Sequence, residues 1–146
     1  MFKSRYAIHI VLILACLAIV FGPRLYQVPA TEKAEAATVS ATSFLALVDA
    51  DQFSASWDVA AALMREKMSA AEWVENLTAI RERYGAIIDR KQENASYSTE
   101  AKDSPAGEYI TLTFASNFKQ HQGAIESVIV MLDGDGSWKV AGYFVK

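Results

Sequence analysis

The chain has 146 residues, long enough for one domain with a self-sufficient core. Three of its basic residues, Lys3, Arg5 and Arg24, and none of its acidic ones precede Thr31, so the remainder carries eleven Lys and Arg against seventeen Asp and Glu, a net of −6. That balance, with no basic stripe, excludes nucleic acid as the expected partner, and a single cysteine excludes an intramolecular disulfide.

Lys3 and Arg5 precede "AIHIVLILACLAIVF", residues 7–21, a positively charged start followed by an apolar run. That is the pattern of a secretory signal or a signal anchor. The run is short for a membrane span, which needs ~20 residues, and small-residue cleavage patterns occur at 28–30 and 34–36. Residues 1–30 are therefore expected to be a signal peptide or a transmembrane anchor. Either way the rest is exported, held at a bacterial inner membrane through residues 7–21 or released into the periplasm. Cys16 and His9 lie inside the apolar run and read as an inert thiol and a tolerated polar group. Residues 31–38 read as a polar tether, leaving 39–146 as the domain.

Within the domain, Phe44, Leu47 and Val48 have helical spacing, and "DAD" at 49–51 marks a bend. Phe53, Trp57, Ala60, Ala61, Met64 and Met68 then align along one stripe of a second helix. "SAAE" at 69–72 is a capping box that opens a third, with Trp73, Leu77, Ile80 and Tyr84 on one face and Gly85 as the stop.

After Gly85 the period changes from helical to alternating. Strands are expected over 86–93, 108–118, 124–132 and 137–146, with a further strand possible around Tyr97 inside the turn-rich stretch 94–107. The last two strands flank "DGDG" at 133–136. A calcium loop begun at Asp133 would need glycine sixth and a carboxylate twelfth, where Trp138 and Phe144 stand. Asp-Gly supplies the positive φ of a tight hairpin, so the stretch reads as a turn. Helices followed by antiparallel strands give an α+β fold, with the helices packed on a curved antiparallel sheet.

"FLALVDADQFSASWDVAAALM", Trp73, Arg81, Gly85, "EYITLTF", Glu126 and "DGDGSWKVAGYFV" resemble the small bacterial domain of unknown function 4019, over about residues 40–146. The extra Asp133-Gly134 before Asp135-Gly136 departs from that pattern. The resemblance implies an exported domain with a cystatin-like cone, the fold of nuclear transport factor two and ketosteroid isomerase. It brings no catalytic residues.

An isomerase-type cone would need a carboxylate base and acidic donors in its cavity. Asp49, Asp58 and Glu126 are the candidate bases, and Tyr84, Tyr109 and Tyr143 the candidate donors. Each has a plainer role: Asp49 at a helix end, Asp58 on a solvated face, Glu126 exposed on a strand or paired with Arg81 or Arg83. Arg81 could otherwise hold an anion. Trp57 and Trp73 read as core that could also line a pocket. His121, the domain's only histidine, sits in a polar turn, and no zinc cluster or nucleophile elbow is present. The candidate pocket or core set is thus Trp57, Trp73, Arg81, Tyr109, Glu126 and Tyr143, with no catalytic or metal residue and no cofactor. The expected function is a non-catalytic module binding an unknown small ligand or an envelope protein. An isomerase-like enzyme and a structural subunit of an envelope complex are the alternatives.

Overall fold

The computed structural model describes residues 27–146. The expected anchor over 7–21 lies outside them, and no helix among the described residues is long and apolar enough to cross a membrane.

Four helices come first. α1, Thr31–Asp49, buries Ala37, Ala41, Phe44, Leu45 and Val48, spaced by threes and fours along one face. The tether expected over 31–38 is therefore corrected: those residues are the first two turns of α1. Ala37 is fully buried, and Lys33 pairs with Glu108 and lies over the Tyr97 ring. The stripe expected to be one helix over 53–68 is two, α2 (Phe53–Asp58) and α3 (Ala62–Lys67). The break has a physical reason. It frees the Ala61 N–H to donate to the Val140 carbonyl at 2.8 Å, on the outer edge of the sheet. The Asp133 carboxylate then accepts from the Ala62 N–H at 3.3 Å, in place of a local cap. α4, Ala70–Tyr84, has the expected capping box, with Ser69 and Glu72 each accepting from the other's backbone N–H, and it ends at Gly85 with φ 77°.

The sheet is an open antiparallel meander of β1 (Ile87–Ser98), β2 (Tyr109–Phe118), β3 (His121–Leu132) and β4 (Trp138–Val145), in that order. β1 continues through Tyr97 as one strand, bulged near Ile88 and Glu93. β3 starts earlier than expected, so His121 opens a strand and packs its ring edge-on against Tyr84 at 5.2 Å. The turn at 133–137 joins β3 to β4, closed by the Asp133 N–H on the Ser137 carbonyl at 2.8 Å. α1, α2 and α4 pack on one face of the sheet, while Leu63 of α3 and Ala61 just before it reach Tyr109 and Met131 on the other. On the first face Ile110, Leu112, Val128, Val130 and Val140 meet Phe44 and Leu77 with no exposed surface to speak of.

Candidate functional site

Alternation sends every second side chain of each strand toward the helices, and at one end of the sheet that inward face is polar. Arg90 on β1 lies opposite Ser116 on β2. Ser116 lies opposite Ala124, two residues before Glu126, and Tyr143 lies opposite Val128, two residues after it. Diagonal neighbours at that spacing are within reach of long side chains. Each of the four strands thus contributes one member to a cluster centred on Glu126, which has no exposed surface.

Glu126 accepts from Arg90 Nε at 2.5 Å and Nη2 at 3.0 Å, from the Tyr143 hydroxyl at 2.5 Å, and from the Ser116 hydroxyl. Four donors fill the lone-pair capacity of a carboxylate. The other side of the same guanidinium reaches Asp49 at the end of α1, donating to Oδ2 at 2.8 Å and Oδ1 at 3.0 Å. Burial works against the Arg90 charge, but the hydrogen bonds to Asp49 and Glu126 outweigh it and hold the guanidinium proton more tightly than usual. Burial, reinforced by the Glu126 charge, pushes the Tyr143 hydroxyl well above the ordinary phenol range. Tyr143 is a fixed donor. Glu126 has no acceptor left for a substrate proton.

The sequence reading of Glu126 as exposed, or as a partner of Arg81 or Arg83, is therefore corrected: it is buried and its partner is Arg90. Arg81 instead closes the C-terminal end of α1. It donates to the Val48 carbonyl at 2.7 Å, the Asp49 carbonyl at 3.3 Å and the Gly85 carbonyl at 3.2 Å, and pairs with Asp51 at 2.8 Å. A cation there satisfies helix carbonyls that have no intrahelical donor.

The remaining expected residues scatter. Trp73 is core, with its indole N–H on Ser56 at 2.9 Å and its ring 5.9 Å from Phe44. Trp57 is half-buried beneath Arg65. Tyr109 is buried on the opposite face of the sheet, with its hydroxyl on the Pro105 carbonyl. Tyr84 packs on Phe118, and Asp58 is exposed. Glu126, Tyr143 and Asp49 come together, joined by Arg90 and Ser116, which no sequence pattern marked, and Arg81 adjoins them at the Asp49 carbonyl.

Among the described residues, Phe44, Leu77, Ile110, Leu112 and Val128 fill the space between helices and sheet. A void of about 10 Å³ lies beside Asp49, Arg81 and Tyr143, room for a single water. The open space lies outside, between α1 and the edge strand β1. Thr42, Leu45, Ala46 and Asp49 of α1 face Arg90 and Gln92 of β1 over Phe114, enclosing a basin of about 350 Å³. A second basin of about 430 Å³ continues past Gln92, between Asn94 and Ala95 on one side and Val28, Thr31 and Ala34 on the other. Both lie along the flank of α1 as a groove that the Thr38 hydroxyl, 3.5 Å from the Gln92 side-chain oxygen, divides in two.

No curated protein and no solved structure matches the chain. One family matches residues 40–143, the span from the middle of α1 to Tyr143 of β4, and its description is a protein of unknown function, DUF4019. The chain belongs to the DUF4019 family.

Proposed function

We propose that this protein is an exported, membrane-tethered binding module without catalytic activity. It takes its ligand in the groove between α1 and β1, and not inside a cone of the cystatin-like kind. The saturation of Glu126 carries this reading. The carboxylate an isomerase would need as its base is held by two Arg90 nitrogens and two hydroxyls, and aromatic rings occupy the space where a substrate would lie. The groove is the better candidate. Its first basin has the size of an ordinary ligand site and mixes an apolar floor with a few convergent polar groups. The apolar run at 7–21 behind Lys3 and Arg5 supports a domain outside the cytoplasm by the positive-inside rule.

Two measurements test the reading. A periplasm-dependent reporter fused after Lys146 should be active in the intact chain, and activity only of a cytoplasmic reporter would sink the location. Amide chemical shifts followed against a library of amines, acids and short peptides should move at Thr42, Asp49, Arg90 and Gln92. Shifts centred on Phe44 and Tyr143 instead would return the ligand, and with it the enzyme alternative, to the interior.

A further inference from the structure

We propose that the groove binds an extended basic peptide, which adds to the sheet as a further strand on the open edge of β1 and lays a lysine or arginine side chain in the basin beside Asp49. This rests on the reading of the groove as a binding site and names its occupant.

The first observation is the edge itself. β1 is paired by β2 on one side only. On the other side, its one backbone partner among the described residues is Gln27, whose carbonyl accepts from the Tyr97 N–H at 2.8 Å in an antiparallel bridge. The edge thus already takes an extended segment of chain at one end. Pro29 and the start of α1 stop that segment, and β1 continues from Ser96 back to Ile87 with no further backbone partner on that side among the described residues. A strand edge with unpaired N–H and carbonyl groups beside pockets for alternate side chains is the arrangement that strand addition uses. The bulges near Ile88 and Glu93 bound a regular stretch at Asp89–Gln92, separate from the Asn94–Ser98 stretch that Gln27 reaches. The first of these lies beside Asp49 and Arg90, where an incoming backbone would pair.

The second observation is charge. Asp49 in the basin wall and Glu126 buried behind it share the single guanidinium of Arg90, so two carboxylates stand against one cation at this end of the groove. Arg81 nearby is matched by Asp51. Each Asp49 oxygen accepts one bond from Arg90 and has capacity for another, and the side chain is 26% exposed. A cationic side chain is attracted there and an anionic one repelled. On the edge, Lys91 and Glu93 lie 3.8 Å apart and leave the strand neutral. The net of −6 beyond residue 30 favours the same sign of partner at longer range.

The experiment uses the full-length chain in detergent micelles and a fluorescein-labelled heptapeptide of alternating threonine and lysine. Saturable anisotropy is expected, with slowed amide exchange over Asp89–Gln92. Methylating alternate amide nitrogens of the peptide should weaken binding about tenfold or more, since it removes backbone donors without touching the protein. Asp49→Asn, or glutamate for lysine in the peptide, should weaken it by a similar factor. Equal binding of the methylated peptide would overturn strand addition. Equal affinity for Nα-acetyl-lysine methylamide would also overturn it, while leaving the groove as a small-ligand site. Protection of β1 that depends on protein concentration without peptide would give the edge to a second copy and overturn the proposal. If neither probe perturbs any groove residue, both this inference and the reading beneath it fail.

Discussion

Arg90 and Glu126 form their ion pair across an intervening strand, Nε of Arg90 on β1 lying 2.5 Å from Oε2 of Glu126 on β3 with β2 between them. Two strand spacings are roughly 9.6 Å, so the pair needs the full reach of an arginine and a small residue beneath it. Ser116, directly opposite Arg90, is that residue, and its hydroxyl bonds the same carboxylate.

Removing the cation alone leaves a buried carboxylate uncompensated. Arg90→Met should cost about 3–5 kcal/mol, the usual penalty for breaking a buried pair from one side. The double variant with Glu126→Gln should recover part of this, because it removes the stranded charge while the amide still offers the Ser116 and Tyr143 hydroxyls a hydrogen-bond partner. Urea midpoints at constant m-value measure both. A double variant no better than Arg90→Met would mean that lost packing, and not the stranded charge, sets the cost.

The two helix tryptophans should separate. Trp73 is 5% exposed and hydrogen-bonded to Ser56, so Trp73→Ala should lose about 3–5 kcal/mol. Trp57 is half-buried with a long indole contact to the Met68 carbonyl at 3.4 Å, and its truncation should cost roughly 1–3 kcal/mol. Equal losses in thermal or urea unfolding would place the Trp57 ring deeper than its exposure indicates.

What was legible in the sequence was local. Ser69 and Glu72 form their capping box within one turn, Trp73 and Leu77 repeat at helical spacing, and Asp-Gly closes its own hairpin, so each is readable from a few adjacent residues. The stripe 53–68 misled because its apolar spacing survives a break that only the distant carbonyl of Val140 explains. The polar appearance of 31–38 misled because Ala37, the residue that docks those turns, is small enough to pass for linker. Arg90 was hidden twice over. Its partners are 41 and 36 residues away, and the adjacent isoleucines and two bulges of β1 obscure which side chains point inward. The groove belongs to no segment at all, since it exists only where α1 lies beside an edge strand.

The assignment of residues 31–38 to the fold has its own test. Ala37 has no exposed surface, so Ala37→Leu should overpack the contact and cost about 1–3 kcal/mol. Glu35→Ala, at an exposed position two residues away, should stay within about 0.5 kcal/mol. A tether would tolerate both alike.

The turn between β3 and β4 makes the final prediction, on pH and calcium. The Gly134 N–H holds the Asp133 carboxyl below the ordinary aspartate range, helped by the Ala62 N–H and Lys139 against the effect of burial. The Ser137 hydroxyl does the same for Asp135, with Lys139 and the Ser137 N–H adding to it. Both carboxyls therefore bind protons more readily in the unfolded chain. As pH falls through about 4, the ordinary aspartate value, the unfolded state takes them up first, and stability declines toward the lower folded values. The contribution is complete above that window. Lys139 is shifted the other way, upward, chiefly by its bond to Asp135, so its share is complete below the ordinary lysine range and is lost as pH rises through the folded value. The double variant Asp133→Asn, Asp135→Asn should flatten the acid side of the stability curve between about pH 5 and pH 2. The same carboxylates are occupied by the turn and by Lys139, so calcium should leave the melting temperature of the parent unchanged. A filled metal site would add ~2.7 kcal/mol at a hundred times its dissociation constant. A calcium-dependent rise that the double variant abolishes would make the turn a binding loop after all.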